Sequence, residues 1–142
     1  MAPSPEPQVV AERQLCGLVN GLAQQIAGHV RERAVTLGLT AAQATALREM
    51  TGPMTMRELA ERMSCEPSNA TFVVDKLEKQ GLIERRPHPT DRRSKHLVLT
   101  ADGTALRERL LELLTHDSPL AGLTADQQRA LQDLLEQAIV RT

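Results

Sequence analysis

The residues of this chain whose types and spacing could do chemistry are cations and small polar side chains, not nucleophiles or metal ligands. Arg85, Arg86, Arg92, Arg93 and Lys95 lie close together with Asp91 as the single acid among them. The chain as a whole carries a net charge of −1, so this is a local footprint of positive charge of the kind that meets a polyanion. Just upstream stand Ser68, Asn69 and Thr71, then Phe72 and Lys76. Asn can pair bidentately with adenine, and Ser and Thr hydroxyls suit base edges or phosphates. If these residues open a helix, its free N–H groups add a place for a backbone phosphate.

The spacing predicts that helix. Ala70, Val73, Val74 and Leu77 recur three and four apart and form an inner stripe, leaving Ser68, Asn69, Thr71, Phe72, Asp75 and Lys76 on the outer face. Phe72 is the only aromatic residue of the chain and falls off the stripe. Two readings stay open: contact with a thymine methyl, or a ring folded back into the edge of the core. In the basic segment, Asp91 and Arg93 are spaced to pair, which would hold one guanidinium in a fixed orientation across a tight loop. An oriented Arg fits the narrow minor groove of A·T-rich DNA.

The elements that position these groups are marked by turn and cap chemistry. Pro67 suits the first turn of a helix and Gly81 its end, giving a helix over 67–80. Thr40 with Gln43, Thr55 with Glu58 and Thr124 with Gln127 read as capping boxes that open helices at about 40–51, 55–63 and 124–141, and Thr100 caps one more. Leu82 to Arg85 and Lys95 to Leu99 read as two paired strands. Before them, an apolar stripe of Val9, Leu15, Leu18, Val19, Leu22, Ile26, Val30 and Ala34 predicts one long helix that Gly38 ends. Residues 1–7, with Pro3, Pro5 and Pro7, read as a disordered arm. The fold class that follows is mainly α: a winged helix-turn-helix over 38–103 with a small antiparallel hairpin as wing, flanked by dimerisation helices at 8–37 and 104–142. The flanking stripes are longer than a lone winged helix needs to cover, and pairing of two chains would bury them.

Other chemistries find little support. Cys16 and Cys65 lack the spacing of a disulfide framework or a metal site, and His29, His88, His96 and His116 are scattered. No phosphate loop, nucleophile elbow or paired-carboxylate motif is present, so neither an enzyme nor a bound cofactor is expected. No apolar run approaches the ~20 residues of a membrane span and the first residues do not read as a signal peptide, so the expected location is the cytoplasm.

The segments GLTAAQATAL (38–47), MRELAERM (56–63), PSNATFVVDKLEKQGLIERR (67–86) and DRRSKHLVLTADG (91–103) resemble, in order, the second helix, third helix, recognition helix with first wing strand, and wing of bacterial MarR-type regulators. That resemblance implies a homodimer whose first, fifth and sixth helices interleave, and a DNA-binding transcriptional regulator, most often a repressor, reading a pseudo-palindromic operator. It also implies, in many members, release from DNA by a small anionic or phenolic ligand. By position, Ser68, Asn69, Thr71, Phe72 and Lys76 would face the major groove, with Arg92, Arg93 and Lys95 on the wing beside Asp91. Two departures stand out: the position of Phe72 is often Arg in relatives, and the stretch from Gly103 to Thr124 is short, which predicts a truncated fifth helix. Cys16 sits where peroxide-sensing members carry their reactive cysteine, but the tyrosines that hold that thiolate are missing. A redox switch at Cys16 and a buried structural thiol are therefore both open, as is a winged helix used for protein contacts.

Overall fold

A computed structural model of the chain describes residues 6–139. It contains six helices and one hairpin: α1 (Pro7–Thr36), α2 (Ala41–Glu49), α3 (Met56–Met63), α4 (Pro67–Lys79), β1 (Ile83–Pro87), β2 (Lys95–Leu99), α5 (Ala101–Thr115) and α6 (Ala125–Ala138). The expected arm over residues 1–7 lies outside the described residues up to residue 5, and Pro7 already opens α1, where a missing N–H costs nothing. The first strand runs to Pro87 rather than ending at Arg85, and α6 stops at Ala138, short of the expected 141.

Two compact units divide the chain, Ala27–His116 and the pair of segments Met1–Ile26 and Asp117–Thr142. The first holds the buried core. Leu47, Met50, Met54, Leu59, Val74, Leu77, Ile83, Leu97 and Leu110 are its largest fully buried side chains, so it is packed without any aromatic ring. Two helices end in a glycine of positive φ: Gly38 (φ 71°) after α1 and Gly81 (φ 76°) after α4. At each, the N–H three residues beyond the helix reaches back, from Leu39 to Ala34 O and from Leu82 to Leu77 O.

Two arginines close the end of α2. Arg107 donates from Nε to Leu47 O (2.8 Å) and from Nη2 to Arg48 O (3.0 Å), and Arg62 donates to Glu49 O (3.1 Å). Carbonyls of the last turn of α2 thereby gain side-chain donors, and α2 is tied to α3 and α5. On α1, His29 Nε2 meets Leu114 O at 2.8 Å while Arg33 donates to Leu113 O and His116 O, which does the same for the end of α5. α5 keeps 15 residues, about four turns, so the short stretch after Gly103 does not truncate it to a stub. Gly103 has its own reason: a Cβ there would sit 2.0 Å from Leu82 O, because the first turn of α5 presses on the turn that leads into β1. Thr100 fixes that approach by donating its hydroxyl to Gly81 O and its N–H to Leu82 O.

In the second unit, Thr124 and Gln127 form the expected complete capping box of α6, and Gln128 Nε2 holds the carbonyls of Leu120 and Leu123. No α6 residue is buried, and Leu134 is exposed. The apolar stripe of α1 is likewise split: Val30 and Ala34 are buried, while Val9, Leu15, Leu18 and Val19 are exposed. Cys16 shares that exposure, so the expectation of a buried thiol is wrong for the single chain; every side chain from Ala11 to Gly21 is open to solvent.

Candidate nucleic-acid interface

The helix-turn-helix is assembled from local signals. Thr55 caps α3 by accepting from Glu58 N at 3.2 Å, but the reciprocal half of the box does not form: the Thr55 hydroxyl donates to Glu58 Oε1 instead. After α3, Ser64 adopts φ 54°, a left-handed turn without glycine, and Cys65 N–H returns to Ala60 O. Glu66 then precedes Pro67 at the first turn of α4 with no side-chain cap; Pro67 has no N–H and Asn69 N–H returns to Glu66 O (3.0 Å), so the Ser68 N–H is the one left for solvent or a ligand. Cys65 is half-buried in this turn.

On α4 the inner stripe is as expected, with Ala70, Val73, Val74 and Leu77 buried. Ser68, Asn69, Phe72 and Lys76 are exposed, and Phe72, 62% exposed, stands off the core rather than folding into it. Lys76 Nζ lies over its ring, 4.3 Å from the centroid. Thr71 departs from the expected outer face. It is half-buried, and its hydroxyl donates to Pro67 O at 2.9 Å, the back-bond by which a helical Thr satisfies itself. Among the described residues the side chains of Ser68 and Asn69 make no hydrogen bond within the protein, so both keep their donors and acceptors free.

The wing is an antiparallel pair with Ile83 opposite Leu99 and Pro87 opposite Lys95. A two-way bridge between Met54 and Leu97 fastens β2 to the segment that leads into α3. Burial of Leu97 and Ile83 turns one face of the hairpin to the core. Its tip is closed by two side chains acting on backbone. His88 Nδ1 accepts from Thr90 N (3.1 Å) and Asp91 N (3.0 Å), and Asp91 accepts from Arg93 N (2.9 Å) and from Ser94 Oγ (3.2 Å).

Two corrections to the reading of the basic segment follow. Asp91 does not hold the Arg93 guanidinium; it holds the Arg93 backbone N–H, because a carboxylate two residues before an N–H closes an Asx turn at shorter range than a long side chain can return. Nor do all five cations belong to the wing tip. Arg85 is paired with Asp75 and with Glu78 (3.7 Å) on α4, and Arg86 with Glu84 (3.1 Å). Strand pleat explains the first pairing: Arg85 points from β1 toward α4, so its one charge is shared between two carboxylates of the outer face of that helix. The charged side-chain groups of Arg92, Arg93 and Lys95 form no ion pair among the described residues. The sequence reading missed His88, whose position at the start of a loop rich in Pro and Thr was its only signal, and Arg57. Arg57 lines a cleft of about 590 Å³ with Thr55, Met56, Arg85, Ser94, Lys95 and Leu97, between the start of α3 and the hairpin. No cluster of His, Cys, Asp or Glu that could hold a metal occurs among the described residues, and no described helix is long and apolar enough to cross a membrane.

This arrangement of helices and hairpin has counterparts among known proteins. The profile of the MarR family matches residues 39–95, which span α2 to the start of β2. The transcriptional repressor MdtR of Bacillus subtilis is 32% identical over 136 residues, covering 94% of this chain and 81% of that protein. The chain belongs to the MarR family. It is a transcriptional regulator of the DNA-binding winged-helix type and not an enzyme. Another curated relative, an uncharacterised regulator of Bacillus subtilis, is spanned over 58% of its length. Among solved structures, a mutant of MarR from Escherichia coli complexed with operator DNA superposes with a TM-score of 0.70 at 29% identity, covering 89% of this chain and 94% of that one. A MarR family protein of Mycobacterium tuberculosis in complex with salicylic acid gives 0.65 at 31% identity over 86% and 93%.

Proposed function

We propose that this MarR family member is a homodimeric repressor that reads a pseudo-palindromic operator. In that reading α4 enters the major groove with Ser68, Asn69, Phe72 and Lys76, and the wing sets Arg92, Arg93 and Lys95 against the flanking minor groove. Half-sites then lie about 10 base pairs apart, centre to centre. The observation that carries the reading is the outer face of α4. Ser68 and Asn69 keep their polar groups free, and Arg85 pairs with the two acids of the helix, Asp75 and Glu78, which reduces the repulsion they would offer to phosphate. Dimerisation is supported by the uncovered apolar residues of the two flanking helices: Val9, Leu15, Leu18 and Val19 on α1 and Leu134 on α6. Apolar stripes of this length without cover mark protein contacts.

A small anionic ligand, of the aromatic carboxylate class that the Mycobacterium tuberculosis relative binds, is proposed as the releasing signal. In the cleft between the start of α3 and the hairpin, Arg57 and Lys95 supply the cations for it. Peroxide sensing through Cys16 is the weaker trigger: Cys16 is exposed, but among the described residues no side chain hydrogen-bonds to it, and a reactive thiolate needs an activating partner.

The reading is tested by selecting duplexes from a random pool with the full chain and weighing the complex by sedimentation. A two-fold symmetric site bound by two chains is expected, with affinity falling steeply in salt. A lone half-site, or a monomer that binds it, would refute the dimeric reading.

A further inference from the structure

Phe72 is the one large apolar side chain exposed on the elements from α2 to α5; the other exposed large hydrophobics are on α1, on α6 or just after it. An isolated ring among Ser68, Asn69 and Lys76 is not a protein-docking patch, which needs apolar neighbours. Its surroundings instead offer hydrogen-bond donors and a positive charge beside one apolar surface. The ammonium of Lys76 is held over the ring at 4.3 Å, so an apolar contact and a donor are presented side by side at a fixed spacing.

One base edge in the major groove carries the matching pair. Thymine displays its C5-methyl next to the O4 acceptor, whereas cytosine at that place displays a hydrogen and an N4–H₂ donor. Resting on the DNA-binding reading of α4 given above, we propose that Phe72 and Lys76 act together as a thymine reader, with the ring packing on the methyl and the ammonium donating to O4. Phe72 thereby has two roles: it touches the base, and it restrains a flexible Lys that would otherwise lose rotamer entropy on binding. Uracil should then be tolerated less well than thymine, because it lacks the methyl alone. Cytosine should be worst, because it lacks the methyl and turns a donor toward the ammonium.

The test uses the full chain and the duplex it selects from a random pool. Each thymine is replaced in turn by uracil, or its pair by C·G, and binding is followed by fluorescence anisotropy. At one position per half-site, thymine to uracil should weaken binding about four-fold, the factor one buried methyl implies, and about sixteen-fold when both half-sites are changed. Uracil to cytosine at that position should cost about five-fold or more again. Phe72→Ala should abolish the thymine–uracil difference while keeping the uracil–cytosine one, and Lys76→Met should reduce the second. Circular dichroism of both variants, whose substitutions are on the surface, checks that the fold is kept. Specific binding by the unaltered chain that is indifferent to every thymine-to-uracil exchange would overturn the thymine reader and leave the regulator intact. Absence of any sequence-specific binding would overturn both.

Discussion

Substitution of Asp91 separates two ways in which one carboxylate could serve the wing. The structure gives it two hydrogen bonds, from Arg93 N at 2.9 Å and Ser94 Oγ at 3.2 Å, and no ion pair. An intramolecular hydrogen bond contributes about 0.5–1.5 kcal/mol net, and the exposed loop puts these two near the lower end. Asp91→Ala should therefore loosen the tip by about 1–2 kcal/mol, which appears as ordering that must be supplied on binding, a loss of roughly 5- to 30-fold in affinity. The melting temperature should hardly move, because the tip carries no core residue. Asp91→Asn keeps an oxygen for the Arg93 N–H and removes a negative charge that faces phosphate, so it should bind as well as the parent or better, with a slightly steeper salt dependence. Anisotropy titrations at several salt concentrations on the selected duplex, with thermal melts alongside, measure both. Equal weakness of the Asn and Ala variants would refute the backbone role and restore an ion pair to Arg93.

Three further outcomes are expected. Gly103→Ala should destabilise the protein by about 2 kcal/mol or more, since the new Cβ meets a backbone carbonyl that cannot rotate away, and a melt or denaturant titration checks it. Arg93→Ala should lower the slope of log affinity against log salt by about one unit if its contact is to phosphate, or cost about 1–3 kcal/mol chiefly at A·T-rich flanks if it reads the groove; unchanged binding excludes both. Arg85→Ala should leave Asp75 and Glu78 bare on the outer face of α4 and weaken DNA binding, and the added change Asp75→Asn should recover part of the loss, which a lost phosphate contact would not allow.

What the sequence made legible follows the range of the interactions concerned. Helices announced by a residue and its partner three positions on open within a residue of the expected start: the boxes at Thr40 and Thr124 form as read, as does the inner stripe of α4. Errors begin where a side chain has a choice of partner. Thr55 and Glu58 have the right types, yet the hydroxyl gives its proton to the carboxylate and the backbone of the cap is left alone. Asp91 could have taken a guanidinium or an N–H, and the N–H is nearer. The exposure of Cys16 and of the α1 stripe around it was illegible for a related reason, because periodicity says which face of a helix is apolar but not what covers it.

Charge is the sharpest case. Counting along the chain puts five cations and one acid on the wing, a sum that no local pattern contradicts. The fold redistributes that sum by bringing β1 beside α4, where Arg85 meets carboxylates 7 and 10 positions earlier in sequence. Far from weakening the case for a DNA contact, this strengthens it. On the proposed reading, α4 carrying Asp75 and Glu78 unpaired would repel the phosphates it approaches, whereas sharing Arg85 between them offsets one of the two negative charges and leaves Lys76 and Lys79 on α4, and Arg92, Arg93 and Lys95 on the wing, outside any ion pair among the described residues. The same ion pairs couple the hairpin to the helix, so a displacement of one is felt by the other. The electrostatic footprint is therefore a property of the assembled surface, and Arg85 serves it best by being unavailable to the DNA.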